Sequence, residues 1–124
     1  MDERLFSTDE ANALLPTLRP LLERLQEVQK RLADHALLQR LRSAAAGNGG
    51  GVAAREVMST GDEFGRITAE IEGLGVVVRD PASGLVDFPA ERDGDAIYLC
   101  WRVDEDRVGH WHDRDSGFMG RQPL

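Results

Sequence analysis

Between Leu14 and His35 one side chain in every four or three returns to the same helical face: Leu14, Leu18, Leu21, Leu25, Val28, Leu32 and His35. The spacings 4, 3, 4, 3, 4, 3 form a heptad seam, which only an α-helix keeps on one side. The seam fades at Gln39 and Arg42, while Leu38, Leu41 and Ala45 carry a shifted stripe. Upstream, Ser7 stands three residues before Glu10, so each side chain can satisfy the other's free backbone N–H in a capping box. Asp9 and Glu10 also suit the positive end of the helix dipole. Pro16 and Pro20 each remove a backbone donor and crowd the carbonyl four residues back. A short helix over 8–14 is therefore expected, then a break or kink, with Thr17 capping the continuation and Pro20 in its first turn. The whole reads as a kinked helical stretch over 8–46.

The run "GNGGG" ends that stretch, because glycine is unfavourable in a helix by about 1 kcal/mol per residue. A phosphate-binding loop would need a strand before it and Lys-Ser/Thr after it, and neither is there. A hinge over 47–52 is expected instead. A second helix follows over 53–74, with Val57, Thr60, Phe64, Ile67, Ile71 and Leu74 at spacings 3, 4, 3, 4, 3. Two such helices joined by a short hinge form an antiparallel hairpin. The second would be about 33 Å long and the first about 45 Å from Thr17 onward. The overhanging apolar seam predicts a homodimer, the alternative being that the N-terminal half of the first helix packs on the sheet that follows.

After Gly75 the period changes from helical to alternating. "GVVVRD", "LVDFP", "AIYLCWRV" and "RVGHWH" read as four strands, separated by turn chemistry at Pro81 to Gly84, at Asp93-Gly94 and at Asp104 to Asp106. Pro89 is expected to end the second strand. A four-stranded antiparallel meander over 75–112 results, followed by a tail over 113–124. In the last hairpin a three-residue loop pairs Val103 with Arg107, Trp101 with Gly109, Cys100 with His110, Leu99 with Trp111 and Tyr98 with His112. A four-residue loop would send both histidines to the tryptophan face. The first register is preferred, since it leaves no buried imidazole in need of a partner.

The fold class is thus α+β, a single domain over 1–124. With 15 Lys and Arg against 22 Asp and Glu the net charge is −7. Lys30 is the only lysine, so no basic cluster exists for nucleic acid or for an anionic membrane. Cys100 is the only cysteine, which excludes an intrachain disulfide and fits a reducing cytoplasm. No secretory signal is read, and no apolar run is long enough to span a bilayer.

The chemistry-bearing residues gather near the C-terminus. His110 and His112, two apart on a strand, face one side, with Cys100 opposite and Asp113 beyond. Such N, S and O donors suit Zn²⁺ or another divalent ion. In the plainer reading both histidines are half-exposed strand residues, Asp113 a turn former and Cys100 a small buried hydrophobe. Arg121, with Arg102 and Tyr98, could hold an anion through a planar guanidinium fork. Alternatively Arg121 pairs with an acid of its own chain in a docked tail. A Cys100–His110 nucleophile has little support, because Cys100 is mid-strand and no oxyanion loop follows. His35 on the seam reads as a polar register-setter or as a pH-sensitive contact.

"LFSTDEANALLP", "GLVDFPA", "YLCWR" and "WHDRDSGFMGRQPL", in that order, resemble a bacterial family known only as domain of unknown function 2203. The resemblance covers almost the whole chain, with the glycine run as an insertion. It implies a small soluble bacterial protein and supplies no reaction, ligand or catalytic residue. In the family pattern the position of His110 is often aromatic, whereas that of His112 is histidine followed by an acid. The resemblance therefore implies that a shared site would use His112 and Asp113. The expected function is a non-enzymatic, dimeric cytoplasmic protein acting through self-association or by binding a protein partner. The alternative is a metal-binding protein or metal-dependent enzyme using the His-x-His-Asp segment.

Overall fold

The structure, a computed structural model, describes residues 3–45 and 52–124. The expected hinge over 47–52 lies, except for Val52, outside the described residues. Helix α1 spans Thr8–Ala45 and α2 spans Val52–Gly73. A five-stranded antiparallel sheet follows: β1 Val77–Asp80, β2 Leu85–Arg92, β3 Asp95–Arg102, β4 His110–Asp113 and β5 Gln122–Pro123, paired in sequence order. The class is α+β, with five strands where four were expected. Among the described residues no helix is long and apolar enough to cross a membrane.

The capping box forms as the sequence predicts. The Glu10 N–H donates to Ser7 Oγ at 3.0 Å, and the Ser7 N–H donates to Glu10 Oε1 at 2.9 Å. The break near Pro16 does not occur, and α1 runs on through both prolines. Each proline costs about 3 kcal/mol in a helix interior. Leu15, Leu18, Leu22 and Leu25 flank the prolines and are all buried, at about 1.5–3 kcal/mol each, which outweighs that cost. The buried face is also rotated from the expected seam. Ala11, Leu15, Leu18, Leu22, Leu25 and Val28 lie in the core, while Leu14 and Leu21 are only partly buried. The first half of α1 packs against the sheet as well as α2, so its apolar face has to be wider than a two-helix seam. The two helices run in opposite directions: Arg24 and Arg31 reach Glu63, while His35 shares a groove with Val57.

Val86, Phe88 and Ala90 of β2 and Ile97, Leu99 and Trp101 of β3 form the sheet's core face. Strand β2 does not stop at Pro89. The Pro89 carbonyl accepts the Phe6 N–H at 2.8 Å, while Pro89 stands opposite Tyr98 of β3. The N–H and C=O of one strand residue point to the same side. The missing donor of Pro89 therefore faces the Phe6 segment, and β3 loses nothing.

The predicted register of β3 with β4 is observed: Tyr98 opposite His112, Leu99 opposite Trp111 and Cys100 opposite His110. The ladder stops there. The expected Trp101–Gly109 and Val103–Arg107 pairs give way to a loop whose backbone is taken by α1. Asn12 Oδ1 accepts the Val108 N–H at 2.8 Å, and the Arg19 guanidinium donates to the Val103 and Glu105 carbonyls. The tail docks as β5, with Pro123 opposite His110, Gln122 opposite Trp111 and the Leu124 N–H on the Gly109 carbonyl. Two residues, one of them proline, carry no alternation by which a strand could be read.

Candidate functional site

Residues opposite one another in the ladders share a face, so Asp87, Tyr98, Cys100, His110 and His112 all lie on the side of the sheet away from the helices. A plain two-layer fold would leave that side wet. Here Arg79 and the tail cover it, and Asp87, Cys100 and His112 are each at most 2% exposed. Contrary to the expectation of no buried imidazole, this register buries His112, and Asp87 satisfies it.

His112 Nε2 lies 3.0 Å from Asp87 Oδ1, and His112 Nδ1 lies 2.6 Å from the Asp113 carbonyl oxygen. A carbonyl can only accept, so Nδ1 carries a proton. The Nε2 position then points at a carboxylate oxygen. The other Asp87 oxygen, Oδ2, accepts from Arg79 Nε at 2.8 Å. Burial works against the Arg79 charge, but the bond to Asp87 outweighs it and holds the guanidinium above its ordinary value. Cys100 completes the cluster. One ligand atom each from Asp87, Cys100 and His112 lie within 4.8 Å of one another. Burial pushes the Cys100 thiol up to about 11, and the Asp87 charge adds to the shift, while Arg121 pulls the other way.

Asp87 and His112 of the cluster, but not Cys100, line an open cleft of about 330 Å³ together with Arg79, Leu85, Arg114 and Phe118. The Tyr98 ring is held between two guanidinium groups, Arg114 at 4.1 Å and Arg79 at 4.8 Å from its centroid. Arg121 makes a two-bonded pair with Glu105, at 2.9 Å for each bond, and stacks on Phe118.

A family model described as "Uncharacterized conserved protein (DUF2203)" matches residues 4–124. The chain belongs to this family. No curated protein and no solved structure matches the chain.

In this DUF2203 protein the residues singled out from sequence fall into two groups. His112 and Cys100 meet in the buried cluster. His110 and Asp113 lie apart from it. His110 is about one-third exposed, with Nδ1 3.8 Å from Glu105 Oε2. Asp113 is exposed, and its Oδ1 accepts the Asp115 and Ser116 N–H groups, which hold its carboxyl below the usual range. Arg102 pairs with Asp104 at 2.6 Å, and Tyr98 is the platform between the two arginines. Asp87 and Arg79 were not read from sequence. The available signal was Asp87 within the apolar run "LVDFPA", where a charged residue is out of place unless it has partners.

Proposed function

We propose that this protein binds one divalent metal ion, preferably Zn²⁺, between Asp87, Cys100 and His112. One observation carries the reading. With its Nδ1 proton held by the Asp113 carbonyl, the His112 ring turns Nε2 toward the Asp87 carboxylate, and the Cys100 sulfur lies within 4.8 Å of a ligand atom of each. Three groups that can each offer a lone pair converge on one buried point, and convergence of that kind calls for a cation. In the metal-free protein the His112–Asp87 hydrogen bond fills the role, and a metal ion would displace it. A ligating histidine commonly donates its second N–H to a carbonyl in this way. An Asp87 carboxylate and a Cys100 thiolate supply two negative charges, which balance a divalent ion. Mixed N, O and S donors favour zinc, and a fourth position opens to the cleft. Tetrahedral zinc, with bonds of about 2.0–2.3 Å, needs donors about 3.3–3.8 Å apart, within reach of small side-chain rotations.

The test is the metal content of tag-free protein purified without chelators or nickel resin, followed by Co²⁺ substitution. Near-stoichiometric metal and a thiolate-to-cobalt absorption band that Cys100→Ala removes are expected. Protein that arrives metal-free and takes up neither ion on titration would end this reading.

A second reading, self-association, rests on a different observation. Among the described residues, no α1 side chain beyond Val28 is in the buried core, and Leu37, Leu38, Leu41 and Met58 are 48–70% exposed. Leu32, His35, Ala36 and Val57 line an apolar groove of about 340 Å³ at that end of the hairpin. Two copies packing these ends together would extend the Leu32–His35 seam into a coiled-coil-like four-helix arrangement. Sedimentation should give a dimer that Leu38→Lys with Leu41→Lys converts to a monomer. A wild-type monomer at every working concentration contradicts the dimer. The lone Cys100 suits a cytoplasmic protein on either reading.

A further inference from the structure

The arginines on the outer face are not alike. Arg102 pairs with Asp104, Arg114 with Glu3 and Arg121 with Glu105. Arg79 instead reaches its one carboxylate, Asp87, through Nε, and Asp87 is shared with His112. Among the described residues, neither Arg79 Nη group donates to a carboxylate or a backbone carbonyl, and the Tyr98 side chain is the other hydrogen-bond partner of the guanidinium. The Arg79 side chain is 42% exposed, lies on the Tyr98 ring and lines the cleft above the buried cluster. It is therefore held by Asp87 at Nε and by Tyr98, while its outer edge carries no carboxylate and can donate to one. Leu85 and Phe118 supply apolar walls beside it.

We propose that the cleft binds a small organic monocarboxylate, with its carboxylate between Arg79 and the metal ion and its short apolar tail on Leu85 and Phe118. The metal contact rests on the metal reading above, and the Arg79 contact does not. Charge selects the class. A divalent ion balanced by Asp87 and a Cys100 thiolate leaves the single positive charge of Arg79, which one carboxylate neutralises. Asp115, exposed on the lip of the cleft, disfavours a second negative charge. A fully hydrated oxyanion such as phosphate would gain nothing from the apolar walls.

The experiment is an NMR titration of the full chain, with Zn²⁺ and without it, using propionate and inorganic phosphate as probes, on the wild type and on Arg79→Lys. Propionate should saturate the zinc-loaded wild type and shift Leu85, Gly117 and Phe118 first. At saturating Zn²⁺, Arg79→Lys should weaken it by about tenfold or more, because lysine keeps the charge but not the fork. Zinc uptake without a saturable propionate shift overturns the carboxylate site and leaves the metal site standing. Phosphate binding tighter than propionate also overturns it, as does equal propionate affinity in Arg79→Lys. If zinc is not taken up, the metal reading fails by itself. Propionate must then still bind the metal-free protein through Arg79, and its failure to do so overturns the inference as well.

Discussion

His112 on β4 and Asp87 on β2 meet at 3.0 Å across the intervening strand β3, both at 2% exposure. Their strands lie about 9–10 Å apart, two strand spacings, with His112 offset two residues along β4 from the position opposite Asp87, and the side chains bridge that gap over the sheet. Asp87 also holds Arg79, so one buried carboxylate joins two potential cations.

Replacing Asp87 should therefore be among the most damaging single changes. Asp87→Ala leaves His112 and Arg79 without their acceptor, and breaking a buried pair in this way costs about 3–5 kcal/mol. Glu3→Gln, which breaks an exposed pair with Arg114, should cost at most about 1 kcal/mol. Urea unfolding of the metal-free proteins checks the contrast, and comparable losses for the two variants would contradict it.

Cys100 should be inert to thiol reagents in the folded, metal-free protein. It is 1% exposed, and its thiol is pushed up to about 11, so at pH 8 it is both covered and protonated. Labelling with an aromatic disulfide reagent should be slow in buffer and immediate in denaturant. Fast labelling of the native protein would mean that the tail does not cover the sheet.

Acid should weaken the link between the tail and the β3–β4 loop. Burial raises Glu105, but the hydrogen bonds from Arg121 and from the Arg102 N–H outweigh it, and the carboxyl lies below its ordinary 4.5. A group depressed on folding contributes stability that is fully present above its unfolded value and is lost as pH falls through its folded value. Stability measured from pH 6 downward should fall below about pH 4.5, and less steeply in Glu105→Gln. Identical slopes for the two proteins would remove Glu105 from the acid response.

Two turn glycines should respond differently to alanine. Gly84 and Gly94 have φ of 70° and 84°, so both carry the left-handed penalty of about 1 kcal/mol. Only at Gly84 would the new Cβ meet another side chain, at 2.5 Å from Val103 Cγ1, whereas Gly94 has open space. Thermal denaturation should show Gly84→Ala to be the more destabilising by at least about 1 kcal/mol. Equal shifts would mean that Val103 moves aside without cost.

Ser7→Ala tests the start of α1. The lost cap should cost about 1 kcal/mol, and Glu10→Ala, which removes the reciprocal bond, should cost less. Urea midpoints lowered without a change in slope are the expected result.

Ser7 and Glu10 are three residues apart, and the pairing of Leu99 with Trp111 follows from the alternation of two neighbouring strands. Such features depend on local spacing, and they were legible in the sequence. So were the two helices and the change of period near Gly75. The passage of α1 through Pro16 and Pro20 was not legible, because the burial that outweighs the prolines comes from the sheet. Nor was the strand at Pro89, whose missing donor is harmless only because Phe6 lies on that side. The candidate site divides along the same line. His112 and Cys100 stood out by residue type, whereas Asp87 and Arg79 could join them only once three strands were set side by side and the tail was laid over their outer face. The sequence by itself determined periodicity, caps and register, since those depend on neighbours along the chain or across one hairpin. The tertiary structure alone decided which of the two histidines is buried and which acid meets it, because burial and pairing across a third strand depend on what covers the sheet.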